Sequence, residues 1–338
     1  MRAALGCLVA LLVWGCGRAE EPVSVPPSVT PSDALERPVR SPYRVAVISD
    51  LNGAYGSTEY GEAVHAAVDQ LLSLHPNLVL STGDMVAGQR RGVDHAAMWQ
   101  GFHAAVSDRL ASASIPFAVT PGNHDGSGYA AWTAERTEFV QQWSGRRPEV
   151  AMVDEAEYPL RYSFVAGPAF FISLDATVIG EMQPEQMRWL ERQLRRAPRE
   201  TVVVFGHLPL HPFAQGRERE TLGDTRLESL LLRYGVDVFV SGHHHAYYPG
   251  RRGPLRLVST ACLGSGPRPL LGVDQASERS ILLFELEESG IGSLEAFGGA
   301  HFDEPIRRED LPASVGTEER QIQRDDLPSA SPELPPRS

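Results

Sequence analysis

Short apolar segments alternate with helical patterns along the first part of the body of the chain. Residues 44–49 (RVAVIS) form an apolar, β-branched run that stops at Asp50, and residues 59–74 then carry apolar side chains at close to helical spacing. Strands that alternate with helices predict an α/β domain with a largely parallel sheet, whose ligands bind beyond the carboxyl ends of the strands. The same order continues with predicted elements at 77–81 (strand), 94–110 (helix) and 115–120 (strand).

The second half of the chain continues this alternation less regularly. Thr225 and Glu228 have the spacing of a capping box at the start of a predicted helix. Alternating polar and apolar residues near 255–261, 280–285 and 292–296 favour antiparallel strands that close a second sheet. The other predicted elements are strands at 162–165, 169–174, 201–205 and 236–241 and helices at 184–196 and 225–234.

The two ends of the chain differ from its body. An apolar run over residues 3–14 is too short to span a bilayer but suits a signal peptide, and Cys16 follows it in a lipobox-like site. We therefore expect residues 1–16 to direct export and Cys16 to be lipidated; ordinary secretion with cleavage nearby and an uncleaved anchor are the alternatives. The Pro-rich residues 17–42 are predicted to be a disordered linker and the charged residues 302–338 a disordered tail, which leaves residues 43–301 as the folded domain.

Composition limits the classes of partner. Hydrophobic residues make up 42% of the chain and charged residues 22%, which excludes a coiled coil, a collagen or a fully disordered protein. The formal net charge of -12 predicts repulsion from nucleic acid, so we expect no double-stranded DNA or RNA partner and membrane contact only through a lipid anchor. Beyond Cys7 and Cys16 the body contains Cys262 alone, which excludes an internal disulfide and favours a buried, inert thiol. Nothing in the pattern indicates an oligomeric state.

Clusters of Asp, Asn or His beside Gly follow five successive predicted strands. One such cluster is typical of an ordinary turn, but turn chemistry gives no reason for repeated histidines. We interpret them together as a site for two divalent ions about 3.5–4 Å apart, which would lower the pKa of water and clamp the phosphoryl oxygens of a phosphate ester. A carboxylate suits a bridging position, and Asp84 is the candidate bridge. The candidate metal ligands are Asp50, Asn52, Asp84, Asn123, His207, His243 and His245.

The order of these motifs resembles that of the calcineurin-like metallophosphoesterase superfamily over residues 43–297. Gly122-Asn123-His124-Asp125 and Gly242-His243-x-His245 are the most specific pieces. The resemblance implies a four-layer α/β/β/α sandwich of two mixed β-sheets flanked by helices. It also implies a dinuclear centre with two divalent metal ions (Mn, Fe or Zn) at one edge.

The same resemblance implies a role for each side chain. Asp50 and His245 would bind the first metal, while Asn123, His207 and His243 would bind the second and Asp84 would bridge. His124 would be catalytic and give a proton to the leaving-group oxygen, and Asp125 would orient its imidazole. A structural role for His124 and simple helix capping by Asp125 are the alternatives.

The sequence departs from the family pattern at two positions. The first family motif usually reads Asp-x-His, whereas Asn52 occupies the third position here; it either coordinates more weakly or only turns the loop before Gly53. The related purple acid phosphatases have a tyrosine ligand where this chain has Ala87, so an iron–tyrosinate site is not expected. Of the remaining histidines, His244 should point away from the metals, and His211 either reaches substrate or lines its loop.

Two functions follow from this sequence. The first is metal-dependent hydrolysis of a phosphate mono- or diester, outside the cytoplasm, by a metal-activated hydroxide, with a small phosphorylated compound as substrate. The second is an exported lipoprotein that uses the scaffold as a non-catalytic binding module, with Asn52 as a sign that the metal site has decayed. The loops at 52–60, 146–157 and 209–223 would set the substrate, and they contain no recognisable motif.

Overall fold

The computed structural model describes residues 42–197, 201–264, 266–317 and 320–328. In this part of the chain two β-sheets form, with antiparallel strands added to parallel ones in each. The first sheet has the strand order β13-β12-β11-β1-β2-β3. Its strands are β1 (Tyr43–Ile48), β2 (Leu78–Ser81), β3 (Phe117–Val119), β11 (Ile281–Glu287), β12 (Gly290–Gly298) and β13 (Glu304–Pro305).

The second sheet has the order β14-β15-β9-β10-β8-β7-β6-β5-β4. Its centre is parallel, from β6 through β7 and β8 to β10, and antiparallel strands extend it on both sides. Its strands are β4 (Ala151–Glu157), β5 (Arg161–Ala166), β6 (Ala169–Ser173), β7 (Thr201–Gly206), β8 (Val238–Ser241), β9 (Tyr248–Arg252), β10 (Leu255–Ser259), β14 (Ser314–Val315) and β15 (Ile322–Arg324).

Three apolar layers hold the sheets and helices together. Between the sheets, Val47 of β1 and Phe171 and Phe205 of the second sheet belong to one buried cluster. A second cluster joins the outer face of the first sheet to the helices between residues 62 and 144, and a third joins the second sheet to the helices between residues 184 and 234. This is the four-layer α/β/β/α sandwich expected from the sequence. The helices are α1 (Glu62–Leu74), α2 (His95–Phe102), α3 (Asp108–Ser112), α4 (Thr133–Ser144), α5 (Pro184–Arg196) and α6 (Thr225–Tyr234).

The start of α6 differs from the expected capping box. Asp224, rather than Thr225, is the N-cap residue, and its carboxylate accepts hydrogen bonds from the backbone N–H groups of Arg226 and Leu227. The carboxylate of Glu228 instead bonds His211 and Arg252. An aspartate preceding the threonine is an equally good cap, and it competes successfully because its carboxylate reaches both orphan donors.

The prediction of a disordered tail from residue 302 is wrong for the described part of that segment. Strands β13, β14 and β15, at 304–305, 314–315 and 322–324, extend the edges of the two sheets. Val315 and Ile322 enter the core, and Arg308 pairs with Asp325 at 2.8 Å. The few apolar residues of this segment are enough because pairing with existing edge strands satisfies the backbone, which composition alone does not reveal.

Several expectations from the sequence lie outside the described residues. These are the signal peptide at 1–16, lipidation of Cys16, nearly all of the linker at 17–42, and the end of the tail from residue 329. Among the described helices, none combines the length and the apolar character needed to cross a membrane.

Candidate active site

Strand ends from both sheets build the site. Asp50, Asp84 and Asn123 follow β1, β2 and β3 of the first sheet, whereas His207 and His243 follow β7 and β8 of the second. The carboxyl ends of parallel strands meet at one edge of a sheet. The side chains therefore converge, although 193 positions separate the Asp50 carboxylate from the His243 N–H that bonds it at 3.0 Å.

Backbone strain concentrates on the candidate ligands. Left-handed backbone conformations are uncommon for residues with a side chain, and they cluster where function requires them. The surrounding loops hold this strain through hydrogen bonds such as Asp50 N–H to Gly83 O at 3.0 Å. Four candidate ligands have positive φ angles, at Asp50 (50°), Asp84 (55°), His243 (64°) and His245 (55°).

Two glycines allow the loops to approach this closely. A Cβ atom on Gly122 would lie 2.1 Å from the Asp84 backbone nitrogen, and one on Gly242 would lie 2.2 Å from Ser49 Oγ. Neither neighbour is the far end of a flexible chain, so no other residue fits without moving a ligand loop. In these two motifs the short distance between the loops thus requires a glycine.

One group of donors surrounds a point near His207. The Nε2 atom of His207 lies 2.8 Å from Asn123 Oδ1, 3.2 Å from His243 Nδ1 and 3.4 Å from Asp84 Oδ2. Asp84, His207 and His243 each present a donor atom within 4.8 Å of the others, and all three are buried. One carboxylate, two imidazoles and an amide oxygen form a donor set that suits a divalent transition metal.

A second group joins Asp50 and His245. The Oδ1 atom of Asp50 lies 3.1 Å from His245 Nε2, yet it is buried and forms no hydrogen bond of regular geometry within the described residues. Its other oxygen accepts from Ser49 Oγ and the His243 N–H. A buried carboxylate needs a positively charged partner; His245 lies in that position here, and a metal ion between the two side chains fits the same need.

The pKa shifts of the clustered side chains show that the buried carboxylates attract positive charge. Burial opposes protonation of His207, but the charges of Asp84 and Asp50 outweigh it and raise its pKa to about 9. Burial likewise opposes protonation of His245, and Asp50 raises its pKa to about 11. The pKa of Asp84 falls below its usual value because the neighbouring His207 and His124 outweigh the effect of burial. A divalent ion bound here would supply the same charge and leave the imidazoles neutral.

His124 lies on the rim of the cluster, and Asp125 has another role than expected. The backbone N–H of His124 donates to Asp84 Oδ1 at 2.8 Å, and its buried Nδ1 atom forms no hydrogen bond with any described residue. Asp125 does not bond this imidazole. Its carboxylate accepts from the Gly122 and Met85 N–H groups, each at 2.6 Å. Because two backbone donors engage this carboxylate, Asp125 joins the loops after β2 and β3 rather than orienting His124.

The other expectations about the site have different outcomes. Asn52 is buried beside the site and its N–H donates to Asp84 O at 3.1 Å, but coordination by its amide stays a prediction. His244 points away from the ligands as predicted, since its ring bonds Phe213 N and Glu220 O. His211 faces Glu228 at 3.2 Å instead of the cluster.

Sequence reasoning missed three side chains beside the ligands. Glu220 Oε2 lies 2.9 Å from His243 Nε2, and Gln89 Oε1 lies 3.5 Å from the Asn123 amide nitrogen. Tyr55 packs against His124 with 5.4 Å between ring centroids. Glu220 follows a run of alternating charges, and the other two lie in loops, so no local pattern separates them from ordinary surface residues. Cys262 is buried as expected.

Comparison with known proteins identifies the family. A family model described as calcineurin-like phosphoesterase matches residues 43–247, which is more than half of the chain. The chain belongs to this family. The match contains every candidate ligand from Asp50 to His245, and it extends across both sheets of the sandwich.

Relatives of this calcineurin-like phosphoesterase include phosphatases and a phosphodiesterase. Purple acid phosphatase 15 of Arabidopsis thaliana is 27% identical over 64% of this chain and 43% of its own length. A protein of Arcobacter nitrofigilis named "Probable glycerophosphodiester phosphodiesterase GpdQ" is 26% identical over 57% of this chain and 66% of its own length. The chain spans less than half the length of the first curated relatives it matches.

Solved structures show the same fold. A purple acid phosphatase from yellow lupin seeds superposes with a TM-score of 0.57 and 18% identity, covering 76% of this chain and 52% of that one. A dimetal phosphatase from Danio rerio gives a TM-score of 0.52 and 17% identity, covering 79% of this chain and 98% of that one. At these identities the likeness concerns the sandwich alone.

Proposed function

We propose that this calcineurin-like phosphoesterase hydrolyses a phosphate mono- or diester with two divalent metal ions. The observation that carries the proposal is the convergence of ligand-type side chains from both sheets into one buried cluster. Asp84, His207 and His243 place their donor atoms within 4.8 Å of one another. Asp50 and His245 form a neighbouring pair, with Asp50 Oδ1 3.1 Å from His245 Nε2 and without a hydrogen bond of regular geometry among the described residues. Relatives named as phosphatases and as a phosphodiesterase support both ester classes.

The chain's own residues fall into two roles. Asp50 and His245 would hold one ion, Asn123, His207 and His243 the other, and Asp84 would lie between them. Ions bound there would supply a hydroxide nucleophile near neutral pH and offset charge on the phosphoryl oxygens. His124 donates its backbone N–H to Asp84 Oδ1, and this contact supports a role for its imidazole beside the departing group. Protonation of the leaving oxygen by His124 would complete the hydrolysis.

Hydrolysis of aryl phosphates tests this function. The purified protein would be assayed on an aryl monoester and a bis-aryl diester after metal removal and again after addition of Mn, Zn or Fe. We expect activity only with metal. Loss of more than about 100-fold is expected in His124→Ala, which removes the general acid, and in Asp84→Ala, which removes the bridging ligand. His65→Ala is the matched control, because His65 is an exposed histidine on α1 away from the site. Full activity in either site variant would overturn these roles.

A non-catalytic metal-binding module is the second candidate, and Asn52 favours it. An amide in place of imidazole weakens the ligand field around the first ion. Elemental analysis separates the two functions: bound metal without turnover of any ester supports the module, whereas turnover that depends on Asp84 supports the enzyme.

We also propose that the protein is exported and anchored through a lipid on Cys16. The sequence of the first 16 residues supports this location. A Cys16→Ser variant should leave the membrane fraction of the producing cells, and its retention there would refute lipidation at this cysteine.

A further inference from the structure

An exposed aromatic ring lies beside the proposed proton donor. Tyr55 is 52% exposed, although a tyrosine ring gains from burial. Its centroid is 5.4 Å from that of His124, and the two rings are tilted by 51°. One part of the ring thus contacts the imidazole of His124 while much of the rest is exposed to solvent.

The backbone holds Tyr55 in this position. The next residue, Gly56, donates its N–H to Ala87 O at 2.9 Å, which ties the loop to the segment that follows Asp84. A Cβ atom on Gly56 would lie 2.8 Å from Val93 Cγ1, so the loop packs tightly there. On the far side, Tyr60 donates its hydroxyl to Met85 O at 2.7 Å. Hydrogen bonds and close packing therefore hold the loop that carries Tyr55 in place.

We propose that Tyr55 is a specificity-determining residue that favours leaving groups with a planar ring. The inference rests on the proposed function, in which His124 faces the leaving-group oxygen. A group attached to that oxygen would lie close to the Tyr55 ring, because Tyr55 and His124 are in contact. A neutral aromatic face offers no charge to a phosphoryl group, but it stacks well with another planar π-system. Aryl, benzylic and nucleobase-bearing esters share this feature.

A matched pair of esters tests the proposal. Benzyl phosphate and cyclohexylmethyl phosphate both release a primary alcohol of similar size, and they differ in the planarity of the ring. In the metal-loaded protein we expect the ratio of kcat/KM for benzyl over cyclohexylmethyl phosphate to fall about threefold to tenfold in Tyr55→Ala. Tyr55→Leu keeps an apolar side chain without the planar face and should show the same fall, whereas Tyr55→Phe should keep the ratio.

Binding supplies a second readout that does not depend on turnover. Calorimetric titration with benzylphosphonate and cyclohexylmethylphosphonate should show the same selective loss in Tyr55→Ala. An equal loss for both members of each pair would mean that Tyr55 only supports His124. Unchanged kcat/KM and affinity for both members would mean that Tyr55 contacts neither leaving group, and either result overturns the proposal. Failure of the metal-loaded protein to hydrolyse these two esters, the aryl monoester and the bis-aryl diester refutes the proposed function instead, while the phosphonate preference would still support a planar-ring site.

Discussion

Replacement of Glu220 by Gln tests whether the loop after β7 helps to hold the second metal ion. The carboxylate of Glu220 lies 2.9 Å from His243 Nε2, while the opposite ring atom, Nδ1, faces the His207 cluster. The hydrogen bond to His243 is the largest cause that lowers the pKa of Glu220, to about 2, so the group is ionised at neutral pH. An ionised acceptor fixes the ring and makes Nδ1 a stronger ligand. Gln has the same shape without the charge.

The expected loss follows from the exposure of this contact. Removal of a carboxylate partner from a ligating histidine typically costs about 10- to 100-fold in metal affinity. The Glu220 side chain is 30% exposed and also pairs with Arg217, so solvent and the arginine weaken its hold on His243. We therefore expect the lower end, about tenfold or about 1.4 kcal/mol.

Metal titration measures this loss directly. Metal-free protein would be titrated with Mn or Zn against a chromophoric chelator, and the two binding steps fitted separately. Only the dissociation constant of the ion near His243 should change in Glu220→Gln. Glu218→Gln is the matched control, since Glu218 lies in the same loop and accepts only from Gly216 N–H at 3.0 Å among the described residues. Equal dissociation constants for wild type and Glu220→Gln, with Glu218→Gln also unchanged, would refute the reasoning.

Three further predictions concern the stability of the fold. Asp125→Ala leaves two buried backbone N–H groups without an acceptor and should lower the free energy of unfolding by about 2–5 kcal/mol in urea; an unchanged midpoint would refute this role. Burial lowers the pKa of His103 from 6.5 to about 4, so the unfolded chain takes up the proton first and stability falls as pH drops through this window. We expect about 1 kcal/mol less stability at pH 5 than at pH 7 from this partly screened group, and a smaller change in His103→Gln. Ile322→Ala should lower the free energy of unfolding by about 2–4 kcal/mol, because the Ile322 side chain is buried in the core. An unchanged free energy of unfolding would mean that β15 does not contribute to the fold.

The strand-end motifs were predictable because several local signals agree at each of them. The apolar run before Asp50, the glycine before Asp84 and the glycine before His207 mark a buried strand that ends in a tight loop. Parallel topology then requires these loops to share an edge, and the ligand types define the chemistry. The family resemblance added the assignment of each residue to one metal or the other.

Contacts that depend on distant segments were not predictable. Asp125 lies next to His124 in sequence, yet its carboxylate bonds Met85, 40 positions away, because the loops after β2 and β3 meet there. The partner of His243 is Glu220, which ends the charged run that begins at Arg217 and carries no local signal of a contact with a ligand. The strand at 322–324 exists because β9 offers an open edge, and no property of these three residues alone signals it.

The origin of the ligands in two separate sheets couples the metal centre to the layer between them. The first sheet carries Asp50, Asp84 and Asn123, and the second carries His207, His243 and His245. Bound ions would therefore tie the two sheets together across the layer between them. Slippage or local opening of either half must release the ions before it can proceed. Amide hydrogen exchange in β1 and β8 should therefore slow together on metal addition. A substitution deep in the apolar layer between the sheets should weaken the affinity for metal at the distant edge.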